Sequence, residues 1–329
     1  MDNLQVQKEQ KRKLMWEKTV DLFCTYGLYV IFVILVVFFS IQNPNFLSIK
    51  NILTILKSAS TLGIATVGMF FVLIVAGVDI SVASNMYFSA VVGTMLLNNL
   101  GCPLIVCFIA SCLCGILIGL INGFFVARVK IYPFIVTLAT YSVAKALGLF
   151  VTKQKMLFLG ESSMVLAKSK LFGVSSFVYI FLGVVLIAYY VLTSTQFGRQ
   201  LYACGNNLEG ANKMGINGPK VVCLAYVICG GLAGIAGMLS ATNLSVINPN
   251  FAQGDEFVVI SSAVIGGASL FGGKGRVLPG AIIGIVMIQV IINGLTMVGA
   301  SAYVYTIFRG IIIFLAVMMD SIKYSGEIR

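Results

Sequence analysis

The stretch LIVCFIASCLCGILIGLINGFFVARVK (residues 104–130) carries no charged side chain before Arg128, and Gly115, Gly119 and Gly123 recur in it at every fourth position. A hydrocarbon core about 30 Å thick is crossed by about 20 mainly apolar residues of helix, so the run is long enough to span it. Helices already in lipid are not driven together by water, and small residues at four-residue spacing let two backbones approach closely instead. The stretch therefore reads as a membrane helix with one face shaped for another helix, followed by a basic pair, Arg128 and Lys130.

The rest of the chain has the same character. Of 329 residues, 59% are hydrophobic and 10% charged, against about 25% charged in a soluble domain. The same length criterion predicts ten spans, at about 22–42, 58–77, 83–101, 103–128, 133–151, 174–195, 221–243, 256–272, 277–299 and 302–319. A second run of small residues, Gly230, Ala233, Gly234 and Gly237, lies in the seventh. The fold class is all-α, a polytopic membrane helical bundle. Residues 1–21 form a basic N-terminal segment, 22–319 the membrane domain with a loop at about 196–220, and 320–329 a tail.

The net charge of +11 follows this topology. With the N-terminus in the cytoplasm, 14 Lys and Arg fall in inside segments and 6 in outside ones. That asymmetry orients both termini, and the 196–220 loop, to the cytoplasm, in a multi-pass protein of the cytoplasmic membrane. The positive charge is thus a topology signal and not a nucleic-acid face. The basic N-terminus precedes a run of spanning length without a small-residue cleavage site, so it is not read as a removable leader. No His is present, which excludes His-based triads and His-rich metal sites, and the eight Cys form no C-x-x-C pair. They read as small hydrophobes, with no metal or cofactor site predicted.

Three polar cassettes interrupt the apolar pattern. In AGVDISVAS (residues 76–84), Asp79 is the lone charge between Lys57 and Arg128. An acid there either caps the next helix, through Asp79 or Ser81, or marks a broken helix at a solute site. IGGASLFGGKGR (residues 265–276) offers Gly272-Gly273-Lys274 but lacks the first Gly and the closing Ser or Thr of a phosphate loop, so ATP is not bound in that manner. Uncharged polar residues within or at the ends of spans, Asn85, Asn122, Thr137, Thr140, Gln289 and Asn293, bridge helices or line a path for a neutral polyhydroxylated solute. Of these, Asn85, Thr137, Gln289 and Asn293 join Asp79 as candidate path residues.

The third cassette, QFGRQLYACGNNLEGANKMGI (residues 196–216), contains a capping-box pattern at residues 206–209, with Glu209 three residues after Asn206. Gly215 can end the helix in the left-handed conformation. A helix of about two turns is predicted near residues 207–214, too short to stand alone. It rests on the membrane surface or in the groove of a partner, where Gly210 and Ala211 allow close approach.

These cassettes resemble, in order, motifs of the permeases of ribose-type sugar ABC importers. QFGRQLYACGNNLEGANKMGIN is similar to F-G-R-x-x-Y-A-x-G-G-N-x-x-A-A-x-x-x-G-I, and AGVDISVAS resembles G-G-I-D-L-S-V-G-S. YPFIVTLAT (residues 132–140), GLINGFFVAR (119–128), DEFVVISSAVIGGASLFGGKGRVLPG (255–280) and FRGIIIFLAV (308–317) resemble four further motifs. The resemblance runs from about Asn43 to the C-terminus. The chain departs at Asn206 and Ala83, where Gly is usual, at Gly210, often Ala, and at Lys145, near a common Arg.

The resemblance implies about ten helices in each of two permease copies, arranged like the vitamin B12-type importer with inverted halves. It also implies an ABC ATPase partner, usually two fused cassettes holding the ATP and magnesium, and a periplasmic or lipid-anchored sugar-binding protein. The membrane is that of a bacterium. Gly205, Asn206, Asn207, Glu209, Gly210, Ala211 and Gly215 are then the coupling residues seated on the ATPase. The chain itself is not an enzyme, and the solute is ribose, another pentose, a hexose or a sugar-like signal. An ion-coupled carrier for a small polar solute is the rival; it would want titratable groups near mid-membrane, where the chain offers little beyond Asp79 and Lys145.

Overall fold

The computed structural model describes Val30 and residues 32–327; the expected N-terminal segment 1–21 and the start of the first span lie outside them. The chain divides into two compact units, residues 49–289 and residues up to 48 together with those from 290 onward.

The larger unit runs α2 (Ile49–Ile74), α3 (Val82–Leu100), α4 (Leu104–Ala127), α5 (Pro133–Thr152), α6 (Glu161–Lys168) and α7 (Ser176–Ser194). It continues with α8 (Gln196–Asn206), α9 (Leu208–Lys213), α10 (Gly218–Leu244), α11 (Asp255–Ile265) and the start of α12 (Val277–Met297). Two short antiparallel ladders, Leu157–Phe158 with Val246–Ile247 and Lys170–Leu171 with Val174–Ser175, tie connecting segments together. In the smaller unit, α1 (Phe32–Gln42) and α13 (Ala302–Glu327) accompany the end of α12. There Phe39 packs on Gly294, and Asn43 donates to the Met297 carbonyl at 3.2 Å.

Among the described residues seven helices are long and apolar enough to cross a membrane: α2, α4, α5, α7, α10, α12 and residues 303–322 of α13. They differ in what they face. The apolar window of α2 is 83% buried and that of α10 is 67%, whereas α4 and α5 are each 22% buried. Apolar side chains left outward on α4 and α5, such as Leu117, Phe124, Leu138 and Val143, suit lipid and not water. The nineteen-residue α3 carries Ser84, Asn85, Ser89 and Thr94, all buried. It needs other helices around it because hydrocarbon would leave those groups unpaired.

The expected span at 256–272 is corrected. Its helix, α11, has eleven residues and stops at Gly266, about 16 Å of rise and half a bilayer. The remainder is irregular backbone with Gly267 and Gly272 at positive φ, continued beyond it by Gly273 and Gly275, a conformation in which glycine carries no Cβ penalty.

The glycines of residues 104–130 do what their spacing predicts. A Cβ on Gly115 would strike the Gly230 carbonyl, one on Gly119 the Tyr226 carbonyl, and one on Gly123 would lie 2.8 Å from the Cys223 backbone. Gly230 and Gly234 meet Gly115 and Ser111 in return. Two backbones in contact gain close dispersion packing that larger residues would prevent. Gly119→Leu should therefore separate α4 from α10 and cost about 1–3 kcal/mol or more. Thermal unfolding in detergent, followed by thiol labelling of the fully buried Cys229, should show a clearly lowered midpoint; an unchanged midpoint would mean that this contact does not hold the bundle.

Candidate functional site

The chain leaves α2 at Ile74 and turns sharply through Ala76, whose φ is +58°, into an elbow that starts α3. Asp79 sits at its centre, 1% exposed. Its Oδ1 accepts from the Ser81 N–H at 2.9 Å and from the Ser81 hydroxyl at 2.6 Å, and Asn122 Nδ2 of α4 reaches it at 3.4 Å. Asn122 also donates to Ser81 Oγ at 2.8 Å and accepts from Thr140 of α5 at 2.7 Å. Thr137 and the Tyr226 hydroxyl of α10 both lie 3.5 Å from the Val78 carbonyl, the outer limit of a hydrogen bond. Four elements thus hold one turn in place. No side chain caps α3, whose N-cap residue is Ser81; Asp79 instead closes a turn onto the Ser81 N–H just ahead of the helix, and its carboxylate orders the elbow that leads into α3.

The other candidate path residues are distributed. Asn85, one turn into α3, donates to the Gly115 and Gly230 carbonyls at 3.3 Å each and accepts from Ser89; it stitches together the three helices that the glycines bring close. Gln289 is buried on α12, and Asn293 is half-buried in the smaller unit. The structure therefore groups Asp79 with Thr137, and sets Asn85 on a separate interhelical bridge.

At the same end of α2, the cassette of residues 196–216 forms two helices where one is predicted. The first, α8, begins at Thr195, whose hydroxyl accepts from the Gly198 N–H at 3.2 Å. Its buried face, Gly198, Leu201 and Cys204, rests on the bundle. Gly205 abuts the Ile74 carbonyl, and Phe197 stacks on Phe71 of α2, with centroids 6.5 Å apart and planes 17° apart. The second, α9, falls inside the predicted range. Asn207 is its N-cap, accepting from the Gly210 N–H at 2.9 Å. The capping box is corrected in register: with Asn207 as cap, Glu209 is the second helical residue and not the third, so its carboxylate is left to favour the helix dipole. Gly215 follows at φ +85°.

The faces of α9 are unequal. Ala211 is 5% exposed, turned into the protein, and a Cβ on Gly210 would lie 3.2 Å from Asn207 Cγ. The outward surface is made by Leu208, Glu209, Asn212, Lys213 and Met214, the last 85% exposed. Met214, which the sequence reading passed over, is thus the most prominent apolar group on this helix pair.

The glycine cassette of residues 265–276 packs against both α2 and α8. The Gly273 N–H donates to the Ile74 carbonyl at 2.8 Å, and the Ser269 N–H to the Lys274 carbonyl at 3.2 Å. These bonds hold the amides of Gly273 and Ser269 within the fold. The Tyr202 hydroxyl donates to the Gly275 carbonyl at 2.6 Å. Burial raises the Tyr202 phenol above its ordinary pKa while nearby Arg276 pulls it the other way, so the hydroxyl keeps its proton at neutral pH. A cavity of about 640 Å³ opens beside this contact, lined by Tyr189, Thr193, Tyr202, Lys274, Arg276 and Leu278 among others. Sequence reasoning singled out neither Tyr202 nor Tyr226; the signal available for Tyr202 was its place in the F-G-R-x-x-Y pattern.

Comparison with known proteins agrees with this architecture. Residues 51–317 match the family described as "Branched-chain amino acid transport system / permease component". The chain is 31% identical over 298 residues to the ribose import permease of Haemophilus influenzae, covering 89% of this chain and 92% of that protein. It is 32% identical over 327 residues to the ribose import permease of Bacillus subtilis, covering 98% and 99%. To the D-allose transport system permease of Escherichia coli it is 32% identical over 309 residues, covering 93% and 92%. No solved structure matches it. Matched over most of its length, and folded as a bundle of membrane-length helices, the chain belongs to this family of transport-system permease components.

Proposed function

We propose that the chain is the transmembrane permease of an ATP-driven, binding-protein-dependent importer that moves a neutral monosaccharide, a pentose or hexose, into the cytoplasm. The observation that carries this reading is the near end-to-end similarity to permeases named for ribose and allose import. The interior supports it. Its buried polar groups are overwhelmingly hydroxyls and amides, which can exchange hydrogen bonds with sugar hydroxyls, and a neutral solute needs no buried counter-charge.

Energy enters through a partner. The bonded glycine cassette supports an ATPase subunit as the holder of ATP and magnesium, with α9 as the coupling helix in its groove and the exposed Met214 and Leu208 as apolar contacts. A few well-buried anchors typically dominate such interfaces. A second permease copy completes the path, in the arrangement with inverted halves that the resemblance implies. A sugar-binding protein delivers solute on the opposite side, and both termini face the cytoplasm of a bacterial cell.

Uptake of labelled ribose, galactose and allose into vesicles containing the complete importer should require ATP inside and persist when proton and sodium gradients are dissipated. Uptake that follows an ion gradient without ATP would replace this reading with the ion-coupled carrier. Met214→Asp, at a site where the fold has little stake, should lower ATPase co-purification and uptake by about tenfold or more; a variant that retains both would detach α9 from the partner. Asp79→Ala should strand the Ser81 N–H and hydroxyl, both donors to Asp79 Oδ1, at about 1–3 kcal/mol per buried group, and impair transport with a loss of stability. Asp79→Asn, which keeps an acceptor oxygen, should recover most of both, and wild-type uptake by Asp79→Ala would remove this residue from the machinery.

A further inference from the structure

The glycine cassette has no role in the transport reading beyond not binding ATP, yet it is held at three points. Its Gly273 N–H is bonded to Ile74 at the end of α2, its Gly275 carbonyl accepts the Tyr202 hydroxyl of α8, and a Cβ on Gly273 would strike the Asn206 side chain. Asn206 is itself fixed, its Nδ2 donating to the Tyr202 carbonyl at 3.0 Å. Tyr202 and Asn206 lie one helical turn apart, so the two groups that grip the cassette share one face of α8.

We propose that this cassette is a relay, and that Tyr202 and Asn206 are positioning residues that make a movement of α9 act on two membrane elements at once. The inference rests on the reading of α9 as the coupling helix. A displacement of α9 passes through the single residue Asn207 into α8, an eleven-residue rod. Phe197 and Gly205 carry it to α2 and so to the Asp79 elbow. The cassette carries it separately to α12, which it joins after Arg276 through the extended Leu278. Gly272, Gly273 and Gly275 take positive φ and carry no side chains, so the Tyr202 hydroxyl of α8 and the end of α2 bond the backbone itself. Where the resembled motif has glycine, the Asn206 side chain occupies the space that a Cβ on Gly273 would need, so it fills a position beside the cassette that glycine would leave open.

Tyr202→Phe and Asn206→Gly, made singly and together, test the relay in the complete importer reconstituted with its ATPase and binding protein, using labelled ribose, galactose or allose, whichever the wild type transports. Both the sugar moved and the ATP hydrolysed are measured. Tyr202→Phe keeps the ring and removes one hydrogen bond, so sugar moved per ATP should fall about fivefold while ATPase assembly and hydrolysis persist; Asn206→Gly should shift the same ratio less, and the double variant more than either. A ratio unchanged in both variants, including one where hydrolysis and uptake decline in parallel, would overturn the relay while leaving the importer reading intact. A wild-type complex without ATP-dependent uptake of any of the three sugars would overturn both. Thermal unfolding of the purified variants separates a change of ratio from a loss of fold.

Discussion

The contact of α4 with α10 through bare backbone is the constraint on which the larger unit depends. In lipid, water does not press apolar faces together, and close approach must supply the attraction. Gly115, Gly119, Gly123, Gly230 and Gly234 give that approach, and it fixes α10 at the centre with α2, while α4 and α5 keep apolar flanks for the bilayer. Asn85 reads the same geometry, since its amide reaches carbonyls of both helices only because those carbonyls lie so near each other. Polar α3 can then sit inside the bundle with Ser84, Asn85 and Ser89 hydrogen-bonded, which no isolated span with its composition could do.

That arrangement makes the elbow at Asp79 possible. A carboxylate 1% exposed is costly unless it is hydrogen-bonded, and here Ser81 and Asn122 converge on its Oδ1. The residues that hold the elbow come from α3, α4, α5 and α10, so its shape depends on how those four elements pack. The α8 helix and the glycine cassette meet at the neighbouring end of α2, which brings the exposed helix α9 within one rod's length of the elbow. Polar interruptions that are scattered along the chain thus form one connected region at one end of the unit.

Much of this was legible before any coordinates. The small-residue stripes announced their interface, the short helix after residue 207 was set by its asparagine cap and its glycine stop, and the family motifs appeared in order. What misled was local reading without neighbours. In the cassette of residues 196–216 only the helix after residue 207 was predicted, and not α8; Gly198 and Gly205 lower helix propensity, and each sits where a side chain would strike backbone, Gly198 at Leu192 and Gly205 at Ile74. Residues 256–272 passed a length test, yet the glycines in their second half take positive φ and end the helix after eleven residues. Ala211 looked like a partner contact because it is small, and its small size serves burial within the chain.

The sequence by itself determined the solvent of this protein, the helical class, the facing stripes and the family, because these follow from hydropathy, spacing and motif order, which are properties of the chain read along its length. Only the tertiary structure decided which roles the polar groups take. Asp79 closed the turn ahead of α3, Asn85 became a bridge, and the Tyr202 hydroxyl bonded a glycine loop some seventy residues away in the chain. A hydrogen bond or a backbone contact depends on positions in space to within a fraction of an ångström, and those positions are set by helices packing together, not by the order of residues along any one of them.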